Sequence, residues 1–259
     1  MSAPLSPFDL TGRTALVTGG NSGIGLAMAD ALASAGADVA IWGTNAERSA
    51  RAAEHLSRHD RKVVAVRCDV GDPAQVNAAM AETMDALGRV DTCIANAGIG
   101  GSGQSFLQLT PDEWHRVLRI NLDGAFYTLQ AAARHMVERG EGGSLVAVSS
   151  IIGTAKGEAT TQAYATTKAG LLGLIRSCAA ELGRHGIRAN SVRPGWIETP
   201  LAQDLLDDPR FADRSLKRIA ARRWGHPDDL GGIAVYLASD ASRYHTGDDF
   251  VIDGGYVVG

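Results

Sequence analysis

Short apolar runs alternate with helical segments from residue 14 to the end of the chain, and this rhythm restricts the fold more than any other feature. Runs at 14–17, 39–42, 63–66, 92–95, 145–148, 188–192 and 250–252 read as strands. Helical character fills 24–35, 46–58, 73–87, 111–138 and 162–184. The boundaries carry chemistry of their own. Asp72 followed by Pro73 is an N-cap with proline at the first helical position, and Gly88 after Leu87 is a terminator. Thr110, Pro111 and Glu113 combine a capping box with the same proline signal. Strands that alternate with helices imply a parallel sheet covered on both faces. No repeat, linker or low-complexity segment breaks the pattern, so residues 1–259 are expected to form one α/β domain.

The bulk numbers exclude several function classes. A chain of 259 residues can bury a large core as one domain. The net charge of −4 gives no electrostatic case for nucleic acid or an anionic membrane. No apolar run reaches the length of a membrane span. Residues 1–10 lack a basic stretch followed by an apolar one, so no leader is expected there. Cys68, Cys93 and Cys178 are far apart and read as reduced buried thiols, which fits a cytoplasmic protein. The seven histidines show no ligand spacing, and no metal site is expected.

Two motifs carry chemistry. The segment TGGNSGIG (18–25) joins the first strand to the first helix. Its glycines would let backbone approach a pyrophosphate, and a helix N-terminus presents free N–H groups to it. The spacing Gly-x-x-x-Gly-x-Gly differs from the common G-x-G-x-x-G, and no Lys-Ser/Thr follows, so it is not an NTPase loop. The bland alternative is a tight turn without a ligand. Tyr164 and Lys168 stand four residues apart and share one helix face. An ammonium beside a phenol favours the phenolate, so the Tyr164 pKa is expected to fall toward neutrality. That would make a proton donor usable at physiological pH.

With CDV (68–70), ANAG (95–98), Asn121 in RINLDGAF, Ser150 in VAVSSIIG, RPGWIET (193–199) and VIDGGY near the end, these motifs resemble the short-chain dehydrogenase/reductase family over nearly the whole length. One departure is Ala95, where the family usually has Asn. The resemblance implies a Rossmann-type, doubly wound sheet of seven parallel strands, a nicotinamide cofactor and commonly a homotetramer. It implies that Tyr164 transfers the proton and that Lys168 tunes the tyrosine and holds the nicotinamide ribose. It also implies that Ser150 binds the substrate oxygen and that Asn121 positions a water leading from Lys168. The cofactor should be met by Gly19, Asn21, Ser22, Gly23, Ile24, Gly25, Thr44 and Asn45. Further contacts are expected from Asp69, Val70, Asn96, Ala97, Gly98, Tyr164, Lys168, Pro194, Gly195, Ile197 and Thr199. Asp69 should hold the adenine.

Three points stay open on sequence. The family serine usually stands thirteen residues before the tyrosine, where this chain has Ile151. Matching from the strand side selects Ser150, with Ser149 as the alternative, and strand alternation would turn Ser149 away. Asn121 could instead hydrogen-bond backbone within its helix. At the end of the second strand stand Gly43, Thr44 and Asn45, neither the acid that selects NAD nor a base that selects NADP. With Arg48 nearby the balance leans slightly to NADP, with NAD close behind.

The substrate pocket is expected from residues 98–104, 153–163, Trp196 and an irregular Asp- and Arg-rich loop or lid at 194–221. Its polar residues include Ser102, Gln104, Lys156, Glu158, Thr161 and Gln162, which suggests a sugar acid or polyol as the secondary alcohol or ketone. The alternatives are a 3-oxoacyl carrier-protein reductase and, from another class, a non-catalytic dinucleotide-binding regulator. The helices at 111–138 and 162–184 look apolar around much of their circumference, as helices buried in a tetramer would be.

Overall fold

The computed structural model describes residues 6–259. The reading of residues 1–10 as lacking a leader falls partly on residues 1–5, outside the described residues. Seven strands form one sheet: β1 (Thr14–Thr18), β2 (Asp38–Gly43), β3 (Val63–Arg67), β4 (Thr92–Ala95), β5 (Gly143–Val148), β6 (Ile187–Pro194) and β7 (Asp249–Ile252). All pairings are parallel, in the order β3-β2-β1-β4-β5-β6-β7. The sheet is therefore doubly wound, as expected. The chain reverses its direction of growth between β1 and β4. In such sheets ligands bind beyond the strand C-termini at that switch point.

The helices are α1 (Gly23–Ser34), α2 (Ala46–Leu56), α3 (Pro73–Leu87), α4 (Pro111–Leu118), α5 (Gly124–Arg139), α6 (Gln162–Leu182), α7 (Gln203–Leu206), α8 (Pro209–Arg218) and α9 (Gly231–Ala238). Strand alternation sorts the core into two layers. Leu16, Ala40, Trp42, Cys93 and Leu145 face α3, α5 and α6. Ala15, Val17, Val39, Ile41, Ile94 and Val146 face α1, α2 and α9. The inner runs are thus buried on both faces, which is why they read as continuous rather than alternating, while the edge strands β3 and β7 are only half-buried. Trp42 also satisfies its indole N–H on Thr83 Oγ1 at 3.0 Å.

The caps behave as their residues predict. Asp72 accepts from Ala74 N–H at 2.9 Å with Pro73 behind it, and Gly88 closes α3 with φ 78. Thr110 accepts from Glu113 N–H at 3.2 Å, but the Glu113 carboxylate turns away to Ser102 N–H and Arg116, so the capping box is only half made. Two elements differ from the sequence reading. The helix expected over 111–138 is interrupted by a π turn at Arg119–Asp123. The irregular stretch 194–221 contains α7 and α8. Cys68 and Cys93 are buried free thiols, whereas Cys178 is only half-buried. Among the described residues, no helix is long and apolar enough to cross a membrane.

Candidate active site and dinucleotide cradle

The turn after β1 is shaped by its glycines. Gly19 and Gly23 have φ of 64 and 52, which side-chain-bearing residues rarely adopt. A Cβ on Gly25 would lie 2.4 Å from both Asn96 Nδ2 and Gly19 O. Ser22 is the N-cap of α1 yet makes no side-chain cap bond, so the helix keeps its first N–H groups for something else. Asn96 ties the end of β4 to this turn. Its N–H donates to Thr18 Oγ1 at 3.0 Å and its Nδ2 to Thr18 O at 2.9 Å. A backbone cradle at a helix N-terminus, with no room for a Cβ at its closest approach, fits a dinucleotide pyrophosphate.

Two adjoining cavities open at the switch point, of about 510 and 600 Å³. The first is lined by Gly19, Asn21, Ser22, Gly23, Ile24, Gly25, Thr44, Asn45, Asp69, Val70, Asn96, Ala97, Gly98 and Thr199. The second adds Tyr164, Lys168, Pro194, Gly195 and Ile197, together with Ser150. Every expected cofactor residue therefore faces one of the two. Some side chains are already engaged. Asn45 caps α2 by accepting from Arg48 N–H at 2.8 Å, and Asn21 Nδ2 donates to Ser49 Oγ at 3.0 Å. Asp69 meets Arg119 Nη1 at 3.1 Å, a partner the sequence did not suggest. Arg48 lines the first cavity, as the lean to a 2′-phosphate requires.

Tyr164, Lys168 and Ser150 converge on the second cavity, and Ser149 lines it too. The two serines are used differently. Ser149 Oγ donates to Lys168 O at 2.7 Å, fixing α6 to β5. Ser150 Oγ accepts from Ile152 N–H at 3.1 Å and faces Tyr164, whose pKa it lowers. Asn121 lies behind the cavity, 1% exposed. Its Oδ1 accepts from Ile99 N–H at 2.8 Å and its Nδ2 donates to Ile99 O at 2.9 Å. Its backbone partner is thus the loop after β4 and not its own helix. A Cβ on Gly98 would be 3.3 Å from Asn121 Oδ1 and 3.6 Å from Lys168 Nζ, so the two side chains meet beneath that glycine.

The expected fall of the tyrosine pKa is not found. Burial pushes the Tyr164 phenol up, and Ser150 offsets only part of that rise. The ammonium does not counter it, because Lys168 Nζ donates to Val148 O at 2.7 Å and lies 5.6 Å from the phenol ring centroid. Burial lowers Lys168 itself to about 8. The helical spacing delivered the proximity, but desolvation decides the sign.

The substrate side also departs from expectation. Of the six polar loop residues, Ser102 and Thr161 line the cavity, and Gln104, Lys156, Glu158 and Gln162 do not. Lys156 folds inward instead. It pairs with Glu158 at 2.6 Å, donates to the Tyr256 hydroxyl at 3.0 Å, and sits 5.5 and 5.1 Å from the Trp196 and Tyr256 rings. Trp196, which lines the cavity, packs edge-on to Phe211 of α8 at 4.8 Å. Leu201, Asp204 and Leu205 close the outer wall.

Comparison with known proteins finds relatives over nearly the whole chain. A family model described as enoyl-(acyl carrier protein) reductase matches residues 19–257. The chain is 42% identical over 250 residues to an L-rhamnose 1-dehydrogenase (NAD(P)(+)) of Sphingomonas sp. (strain SKA58), covering 96% of this chain and 98% of the relative. It is 34% identical to a 2-dehydro-3-deoxy-D-gluconate 5-dehydrogenase of Escherichia coli (strain K12), covering 98% of each. A crystal structure of a gluconate 5-dehydrogenase from Burkholderia cenocepacia J2315, in complex with NADP and tartrate, superimposes with a TM-score of 0.92 at 39% identity, again covering 98% of each chain.

Proposed function

The chain belongs to the short-chain dehydrogenase/reductase family, and we propose that Tyr164, Lys168, Ser150 and Asn121 together form its catalytic centre. It is an NAD(P)-dependent oxidoreductase that interconverts secondary alcohols and ketones. The names of its relatives point to sugars, polyols or sugar acids as substrates. The observation that carries the reading is the convergence of Ser150, Tyr164 and Lys168 on one cavity that adjoins the glycine cradle.

The nicotinamide ring supplies or accepts the hydride. The chain's own residues handle the proton. In the reducing direction the neutral Tyr164 phenol gives its proton to the developing alkoxide and is left as phenolate; in the oxidising direction the phenolate form of Tyr164 takes the alcohol proton as hydride leaves carbon. Ser150, which lines the same cavity as Tyr164, supplies the second hydrogen bond to the substrate oxygen. Lys168 holds positive charge beneath the site and is placed to grip the ribose. Asn121 fixes Ile99 and with it the Gly98 backbone that both cavities share. The cradle takes the pyrophosphate, and Arg48 gives NADP a modest advantage over NAD. The segment 194–221 acts as the lid over the substrate.

A homotetramer and a cytoplasmic location complete the proposal. Phe126 on α5 is 40% exposed, and Leu172, Leu174 and Cys178 on α6 are only half-buried, so an apolar face of these helices is left for a second copy. Three free cysteines suit a reducing compartment. Tyr164→Phe tests the centre. Reduced cofactor should still bind by fluorescence titration while kcat falls at least about 10²-fold. Unimpaired turnover would refute the assignment.

A further inference from the structure

We infer that the substrate cavity is built for uncharged sugars or polyols and turns carboxylated ones away, with Asp204 as a specificity-determining residue. This rests on the dehydrogenase reading above, which leaves open whether the substrate carries a carboxylate. Among the described residues lining the 600 Å³ cavity, the charged ones are Lys168 and Asp204. Lys168 is 4% exposed, donates to Val148 O at 2.7 Å, and lies at the reacting end beneath Tyr164. Buried and committed to a backbone carbonyl at the reacting residues, it is no counter-ion for a carboxylate bound elsewhere in the cavity. Asp204 lines the cavity from the first turn of α7 and is exposed, at its solvent-facing rim. Its carboxylate enters no ion pair or hydrogen bond among the described residues.

The cations that a sugar acid would need are nearby but committed elsewhere. Lys156 is locked to Glu158 and Tyr256. Arg116 is held by Glu113 at 2.6 and 2.9 Å. Neither lines the cavity. A carboxylate entering it would lose water, gain no cation, and approach a like charge. Hydroxyl groups fare better, because the lining offers Ser102, Thr160 and Thr161 against the buried apolar side chains of Ile152 and Trp196. Thr160 is held at φ 63, a left-handed conformation unusual for a β-branched residue, while Thr161 Oγ1 anchors the loop by donating to Glu158 O at 2.7 Å. The hydroxyl-bearing loop is thus set in a conformation that its sequence alone does not favour.

The test compares kcat/KM for a matched set of six-carbon substrates, a free hexose and a hexitol against the hexonate, with NADP⁺ and with NAD⁺. Wild type should favour the neutral compounds by at least about tenfold at low salt. Asp204→Asn should narrow that ratio several-fold, and Asp204→Lys should narrow it further. Raising ionic strength should narrow the wild-type ratio, since a partly exposed like charge is screened, and should leave the Asp204→Asn ratio nearly unchanged. The salt series needs only wild type, so it decides even if a variant misfolds by circular dichroism. A wild-type preference for the hexonate, or a ratio indifferent to both salt and Asp204, overturns the inference and leaves the dehydrogenase reading intact. Failure to turn over any of the three, with cofactor binding intact, refutes the sugar-dehydrogenase reading and this inference with it.

Discussion

Lys168→Met exchanges a buried ammonium for an apolar side chain of similar length, and the structure says what this should do to stability. Burial lowers the lysine from 10.5 to about 8, so keeping it protonated in the fold costs about 3 kcal/mol at neutral pH. The unfolded chain holds that proton up to 10.5, and the folded chain releases it near 8. Between those values the unfolded state binds more protons, so the lysine's burden lifts as pH rises through the window. Below 8 it is present in full. Methionine removes the burden but leaves the Val148 carbonyl, now served by Lys168 at 2.7 Å, without its donor, at about 1–3 kcal/mol. The variant should therefore be more stable than wild type by about 1 kcal/mol at pH 7. At pH 10.5 it should be less stable, because the wild-type lysine is then neutral and still donates. The lost hydrogen bond cancels in the comparison of the two pH values, leaving a swing of about 3 kcal/mol. Urea unfolding followed by tryptophan fluorescence, at one fixed protomer concentration, measures it. A stability difference that does not move between pH 7 and pH 10.5 would refute the claim that Lys168 is held as a desolvated cation. The same variant should lose at least about 10²-fold in turnover at pH 7, an activity–stability trade at one residue.

Ser150→Ala should cut kcat at least about tenfold with little loss of stability. Ser149→Ala should do the reverse, costing about 1 kcal/mol through its lost bond to Lys168 O; equal kinetic losses in the two would refute the division of roles. Gly43→Asp, the obvious way to install an NAD-selecting acid, should weaken both cofactors, because its Cβ would lie 2.3 Å from Asn21 Nδ2. Only with Asn21→Ala alongside should NADH binding exceed NADPH binding in a fluorescence titration, and a clean switch by the single change would contradict the crowding. Light scattering behind a sizing column should give a tetrameric mass, and a monomer at micromolar concentration would leave Phe126 and the outer face of α6 unaccounted for.

The strands were legible because a doubly covered sheet demands unbroken apolar runs, and β4 matches its expected bounds of 92–95. Caps were legible where one side chain does the work, as at Asp72. The same Asp-Pro signal at Asp208 and Pro209 opens α8, yet the surrounding charge made that stretch read as irregular. The π turn at Asn121 was invisible, and so was the contact its side chain makes with Ile99 across 22 residues. The placement of the site residues followed from motif order. Their electrostatics did not, since the i,i+4 spacing of Tyr164 and Lys168 says nothing of how much water each loses. Lys156 and Glu158 read as polar residues of the substrate pocket. Only the return of the chain at Tyr256, 100 residues later, turns them inward.

The way Asn121 grips Ile99 has a consequence for how the site tolerates change. One side-chain amide exchanges both hydrogen bonds with one residue's N–H and C=O, the exchange a neighbouring strand would make across a closely paired rung. β4 ends at Ala95, so this asparagine acts as a surrogate rung four residues past the end of the ladder. Aspartate, though nearly isosteric, has no N–H with which to complete the rung, and glutamine is one methylene too long to sit in it. Tolerance at this position is set by the need to imitate a piece of backbone, and it should be narrow even for polar replacements that leave charge and volume almost untouched.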